Sequence, residues 1–205
     1  MIGVVDFGSG NTRSVLRALT AVGADARLVA DPAGLDAMQR LVLPGVGAAG
    51  PAMARLRRSG MASRLQDWAA NGRSLLGICL GAQLLLDASE EDATDGLGLI
   101  RGTCRRFPSA SAGGPMRIPH IGWNRVCLAS GAFDAYFVHG YWLDPAETGV
   151  IAGWTDVDGF RFPSLLRSGA VVGTQFHLEK SGRAGRALLA AWATGLLDPK
   201  APAWS

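Results

Sequence analysis

The apolar positions along this chain alternate between strand and helix periods up to about Asp87 and then keep to short strands, and this outlines its architecture. Residues 2–6, "IGVVD", form a short apolar run rich in β-branched side chains, followed by the tight, polar "FGSGN". Such a run, bounded by turn residues, predicts a buried strand and then a loop. From Asn11 the period lengthens to that of a helix, with Val15, Leu16, Leu19 and Val22 on one face and Gly23 as the stop. "ARLVA" (26–30) and "RLVL" (40–43) predict further strands around a short helical stretch. "PGVGAAG" (44–50) reads as a loop, and residues 51–71 as helix in two pieces broken near Gly60. "SLLGI" (74–78) then predicts a buried strand and "LGAQLLLDA" (80–88) a helix. Strands alternating with helices call for a parallel sheet covered on both faces.

After about Asp87 the rhythm becomes that of short strands: "TCRRF", "NRVCL", "AYFVH", "VIAGWT" and "AVVGTQF". Gly/Pro-rich turns separate them, which favours antiparallel or mixed pairing. "PSASAGGP" (108–115) reads as a polar, mobile loop. A closing helix is expected over roughly 183–196, with Leu188, Leu189, Trp192 and Leu196 on one stripe. The expected fold is α/β: a mixed, mainly parallel central sheet flanked by helices, with additional antiparallel strands. No repeat or linker breaks the pattern, so residues 1–205 read as one domain.

Composition narrows the picture. A chain of 205 residues that is 48% apolar can bury a sizeable core without crosslinks. The net charge of +3 comes from scattered basic residues. The tightest groups, Arg55, Arg57 and Arg58 and the pair Arg105 and Arg106, lack an aromatic ladder and read as solvated faces, which argues against nucleic acid. Three cysteines, Cys79, Cys104 and Cys127, stand far apart in odd number, which suits neither a zinc site nor a disulfide framework. A reduced compartment fits them best. The N-terminus enters a strand at once, and no run reaches the roughly 18 apolar residues of a membrane span. A cytoplasmic location is therefore expected.

The chemistry centres on "RSLLGICLGAQLLL" (73–86). Free cysteine is commonly a buried core residue, and Cys79 has that reading. The competing reading is a nucleophile. Gly77-Ile78-Cys79-Leu80-Gly81 lies between a predicted strand and a predicted helix, the setting in which G-x-nucleophile-x-G makes a sharp turn. The turn would lift the sulfur toward a helix N-terminus, which favours thiolate. A cysteine nucleophile needs a base and a group to orient it. Only His120, His139 and His177 are available, and "GTQFHLEKSG" places Glu179 two residues beyond His177. At strand spacing both point to one side of the sheet. Alone, a His-x-Glu is equally a chance surface pair; beside an elbow the reading as a base and its orienter is the better of the two.

Acyl chemistry also needs donors for a developing oxyanion. The N–H of Leu80 is one, and the glycine-rich "LPGVG" (43–47), through Val46 and Gly47, offers a second. That loop matches G-x-G-x-x-G literally at 45–50, but it follows the third strand rather than opening the first βαβ unit, which argues against a dinucleotide site.

Taken together, the segments resemble the class I (triad-type) glutamine amidotransferases, in which Cys, His and Glu hydrolyse the side-chain amide of glutamine. Within that class the finer resemblance is to the glutaminase subunits of imidazole glycerol phosphate synthase. It rests on "VVDFGSGN", "LVLPGVGAAGPAM", "LLGICLGAQLLLDASEE", "GLGLIRGTCRRF", "IPHIGWNRV", "YFVHGYW" and "GTQFHLEKSG". The resemblance implies Cys79 as nucleophile, His177 as base and Glu179 as its orienter. It places Gly47, Leu80 and Gln83 in the glutamine pocket, with His139, Gly140 and Tyr141 on the facing loop. By itself His139 would read as a packed residue at a strand end.

The resemblance further implies no metal or organic cofactor, and a partner: a (β/α)8-barrel synthase subunit that receives ammonia. Asn11, Trp123, Tyr136 and Lys180 match positions near that interface, although Trp123 alone would read as core. Four positions depart from the family pattern: Leu178 replaces a proline, Gly140 a serine, Ala82 a methionine or histidine, and Arg101 a proline. Leu178 is expected to point away from the triad. Two other roles stay open at this stage, a paralogous glutaminase feeding surface-sugar amidination and a silent scaffold for a barrel partner.

Overall fold

In the computed structural model, which describes residues 1–8 and 11–197, the N-terminal apolar run is a strand buried along its whole length, β1 (Ile2–Val5). The chain continues through α1 (Thr12–Ala21), β2 (Ala26–Val29), β3 (Arg40–Leu43), α2 (Ala49–Arg58), α3 (Met61–Ala70) and β4 (Leu75–Ile78). Next come α4 (Leu80–Gln83), β5 (Leu86–Ser89), β6 (Thr94–Asp95), β7 (Ile100–Arg106), β8 (Ala110–Ser111) and β9 (Gly114–Pro115). The remaining elements are β10 (His120–Leu128), β11 (Gly131–His139), β12 (Tyr141–Pro145), β13 (Ile151–Val157), β14 (Phe160–Ser168), β15 (Val171–Thr174) and α5 (Gly182–Ala193).

The main sheet runs β11-β10-β13-β14-β15-β4-β3-β1-β2. Its half around β4 is parallel, with β15, β4, β3, β1 and β2 joined by parallel ladders. The half from β11 to β15 is antiparallel. A second sheet, β12-β7-β5-β6, packs beside it. The mixed α/β architecture agrees with the sequence pattern, and the change of rhythm after Asp87 separates the parallel strands β1–β4 from the mainly antiparallel ones that follow. Gly60, at φ 74, makes the break between α2 and α3. One apolar cluster holds Leu41, Leu43, Met53, Leu65, Trp68 and Leu75; a second joins Val4, Leu19, Phe137, Phe162, Phe176 and Trp192. Strands β1, β3, β4 and β15 thus bury both faces, as near-continuous apolar runs do in parallel sheets.

Several local expectations differ from the structure. The segment 80–88 is not one helix: α4 ends at Gln83, and Leu86–Ser89 turns into β5 to pair with β7. Leucine in series has no strand or helix signature of its own, and sheet pairing decides. The closing helix stops at Ala193, so Leu196 leaves its stripe and is exposed. The loop 108–115 carries the small hairpin β8–β9. The pattern also missed β14, because Pro163 argues against a central strand. The chain tolerates it beside an irregularity: Pro163 faces Trp154 where the β13–β14 register shifts between Gly153 and Trp154.

Candidate active site

The turn after β4 is tight because two glycines allow it. A Cβ on Gly77 would lie 2.7 Å from the Gly81 carbonyl oxygen and 2.8 Å from Ala82 Cα. A Cβ on Gly81 would run into the Leu43 carbonyl oxygen. Between them Cys79 has φ 53 and ψ −111, a conformation L-residues rarely adopt. Two backbone bonds hold it there, from Cys79 N–H to the Thr174 carbonyl (2.7 Å) and from Gln83 N–H to the Cys79 carbonyl (3.0 Å). The strained turn sets the thiol at the mouth of α4, where the Leu80 N–H is one of the donors a helix start leaves unused.

Cys79 opens into a cavity of about 340 Å³ lined by Val46, Gly47, Leu80, Gln83, Glu91, Val138, His139, Gly140, Tyr141 and Lys180. Every residue expected in the glutamine pocket is therefore on one wall or another. Gly45 explains the glycine-rich loop: a Cβ there would sit 2.9 Å from Leu80 Cβ, so the loop lies directly on the elbow. Close approach to α4, rather than to a dinucleotide, is what this glycine serves.

His177 and Glu179 come from the chain just past β15 and enter a 3₁₀ turn, Leu178–Lys180. His177 Nδ1 donates to Glu179 Oε1 at 2.6 Å, and both side chains are inaccessible to solvent. His177 Nε2 is buried with no well-aligned hydrogen bond among the described residues. The Cys79 thiol instead lies 3.8 Å from the Val138 carbonyl oxygen and 3.9 Å from Gln175 Nε2. Burial alone would push His177 down, but the Cys79 thiol and the Glu179 carboxylate more than offset it and hold the imidazole up at about 9. The carboxylate accepts the Nδ1–H of the ring and leaves Nε2 to serve the cavity side. Leu178 is buried in the second apolar cluster, as its place between the two polar residues requires.

The four candidate interface residues gather near the same mouth. Trp123 is 60% exposed and packs edge-on against Tyr136, with ring centroids 6.2 Å apart. Lys180 Nζ stands 5.6 Å over the Tyr136 ring and also lines the cavity. Asn11 turns inward, its Nδ2 donating to Glu179 Oε1 at 2.5 Å. Trp123 is thus a surface residue, not a core one.

Sequence reasoning missed Glu91. It reaches the cavity on the turn between β5 and β6, where its Oε2 accepts from Ala49 N–H at 2.8 Å. Burial raises its carboxyl above the ordinary range, and that backbone bond works against the rise. A carboxylate inside an acidic stretch, "SEEDATD", carries no periodic signal that separates it from its neighbours. Among the described residues no cluster of His, Cys, Asp or Glu is arranged to hold a metal ion.

The model of the class-I glutamine amidotransferases matches residues 3–193. The chain belongs to that family. Imidazole glycerol phosphate synthase subunit HisH of Streptococcus sanguinis is 45% identical over 201 residues, covering 92% of this chain and 93% of the relative. The protein of the same name from Geobacillus kaustophilus is 42% identical over 199 residues, covering 92% and 94%. Among solved structures, one described as a glutamine amidotransferase superimposes with a TM-score of 0.76 at 21% identity, covering 95% of this chain and 98% of that one. PurLQS from Thermotoga maritima gives 0.75 at 18% identity, with the same coverage. At these identities the two structures speak for the fold alone.

Proposed function

We propose that this chain is the glutaminase subunit of an imidazole glycerol phosphate synthase, a single glutamine amidotransferase domain that hydrolyses glutamine and passes the ammonia to a (β/α)8-barrel partner in histidine biosynthesis. The observation that carries it is the strained Cys79 at the floor of a cavity, beside a buried His177–Glu179 pair, in a chain whose relatives bear that subunit's name over nearly their full length.

The residues do the chemistry in a defined order. The Cys79 thiolate attacks the side-chain amide carbon of glutamine, and its negative charge passes to the amide oxygen. The Leu80 N–H and an N–H of the Val46–Gly47 loop stabilise that oxyanion. His177, protonated, gives its proton to the departing nitrogen, which leaves as ammonia and a glutamyl thioester remains. The neutral imidazole then takes a proton from water, whose oxygen attacks the thioester and releases glutamate and the thiolate. Glu179 holds the imidazole throughout. Glu91 supplies a carboxylate for the substrate's α-ammonium, and Gln83 with the Gly140–Tyr141 corner shapes the opposite wall. None of these steps uses a metal or organic cofactor.

Trp123, Tyr136 and Lys180 form the face offered to the barrel partner, an aromatic pair with one cation at the cavity mouth. No helix of the described residues is long and apolar enough to cross a membrane, and we place the enzyme in the cytoplasm with its pathway. Deletion of the gene tests the pathway: loss of growth without added histidine supports it. Growth without histidine at normal synthase flux would assign the ammonia to another acceptor, such as a surface sugar.

A further inference from the structure

Two of the three histidines lie outside the triad, yet both are buried and bonded to each other. His120 Nδ1 is 3.0 Å from His139 Nε2. Both ends of this pair fix its direction. At one end His139 Nδ1 lies 2.6 Å from the Tyr141 carbonyl oxygen, which only accepts, so Nδ1 carries the proton. At the other end Asn124 accepts from Arg125 N–H at its Oδ1 (2.7 Å) and donates from Nδ2 to the Asp156 carbonyl (2.9 Å). That same Nδ2 faces His120 Nε2 at 3.2 Å, so Nε2 accepts. With both rings neutral, His120 Nδ1–H donates to His139 Nε2. Burial pushes both imidazoles below their ordinary range, in keeping with neutral rings.

The chain of bonds ends on a corner that is tied on its β7 side by Phe107 N–H to the Gly140 carbonyl (3.3 Å) and the Tyr141–Arg106 pair, and on its β10 side by the His120–His139 pair. β11 belongs to the main sheet and β12 to the second, and Gly140 alone separates them. Val138, His139, Gly140 and Tyr141 all line the cavity, and the Val138 carbonyl faces the Cys79 thiol. The Tyr141 carbonyl accepts from His139 and also from Gln83 Nε2 at 3.2 Å. On β10 the alternation puts Ile121 and Trp123 outward, while His120 and Asn124 turn in toward this corner.

We infer that His120, which does not line the cavity, is a positioning residue for glutamine binding: through its Nδ1–H it orients His139 so that the Tyr141 carbonyl and the corner at Gly140 keep the shape of the pocket wall. The inference rests on the glutamine-hydrolase reading of the site. Loss of the donor leaves a buried acceptor on His139 unpaired and lets its ring turn against the Tyr141 carbonyl, which reshapes the pocket wall and weakens binding before it affects the thiol.

Two amide substitutions separate the ring nitrogens. In His120→Asn the amide nitrogen takes the place of Nδ1 and keeps the donor; in His120→Gln the amide reaches the place of Nε2 and the donor is lost. The readout is saturation kinetics of Cys79 inactivation by a glutamine-analogue chloroketone on the full chain. His120→Gln is expected to raise the concentration for half-maximal inactivation roughly tenfold, with the limiting rate within about threefold of wild type. His120→Asn is expected to stay near wild type, and His120→Leu, a second donor-free variant, to match His120→Gln. Equal behaviour of the Asn and Gln variants, or an unmoved half-saturation in the donor-free ones, overturns the positioning role. A wild-type chain that the analogue does not inactivate overturns the glutamine-hydrolase reading instead.

Discussion

Asn11 Nδ2 and His177 Nδ1 converge on one oxygen, Oε1 of Glu179, at 2.5 and 2.6 Å. The second carboxylate oxygen is buried with no hydrogen-bond partner among the described residues. Asn11 therefore fixes the orientation of the Glu179 carboxylate, the acid of the proposed triad, from a left-handed backbone conformation (φ 78) at the start of α1. A hydrogen bond to a charged group is worth about 1.5–3 kcal/mol, so Asn11→Ala is expected to lower kcat for glutamine hydrolysis by roughly ten- to a hundredfold. An unchanged kcat would make Asn11 a surface residue only.

The pH dependence of stability follows from His177. Its folded value of about 9 stands above the ordinary 6.5, so its contribution to folding is complete below pH 6.5 and is lost as pH rises through about 9. Urea midpoints of the wild type are expected to fall across that window more steeply than those of His177→Asn. Parallel curves for the two proteins would mean that the imidazole is not held protonated by its neighbours.

His139 acts in the opposite direction. Buried chiefly away from water, it titrates at about 3 when folded. The unfolded chain takes up this proton first, so stability is lost as pH falls below about 6.5. His139→Asn is expected to flatten the acid limb by up to about 1.4 kcal/mol per pH unit. An unaltered limb would place the acid sensitivity elsewhere.

Glycine at the elbow is a steric requirement. In Gly77→Ala the new methyl meets the Gly81 carbonyl and Ala82, and overpacking of this kind costs about 1–3 kcal/mol or more. Lower thermal stability and weaker labelling of Cys79 are expected together. Full labelling in a stable Gly77→Ala protein would show that the strained turn is dispensable.

Much of this site was legible because it is local. Gly77-x-Cys79-x-Gly81 and His177-x-Glu179 each sit within five residues, and each shape follows from the backbone around it. The pocket wall at Gly140 and the Trp123–Tyr136–Lys180 patch were reached through family resemblance, since no spacing links residues from three separate segments. Glu91 and the His120–His139 bond were not legible at all. They depend on which strands pair: β10 with β11 sets His120 opposite His139, a register no single segment encodes. The misread helix at 84–88 has the same origin, because its partner β7 lies further along the chain. Local chemistry is written in sequence, whereas long-range pairing chooses among equals.

Cys79 carries the whole account, and its labelling is the first check. Cys104 is fully buried with its thiol pushed far up by burial, and Cys127 lies on β10, away from the cavity. A glutamine-analogue electrophile is expected to modify Cys79 alone. Modification spread over all three thiols would return Cys79 to the core.

The most direct measurement is glutamate release from glutamine by the full chain, with and without the barrel subunit and its nucleotide substrate, for wild type and Cys79→Ser. The wild type is expected to be slow alone, because the glycine-rich Val46–Gly47 loop can turn either a carbonyl or an N–H toward the oxyanion, and a missing oxyanion donor costs roughly 10²–10³ in rate. The complex is expected to recover that factor, and Cys79→Ser to release no glutamate while remaining folded. Glutamate release by the serine variant at the wild-type rate would contradict the account.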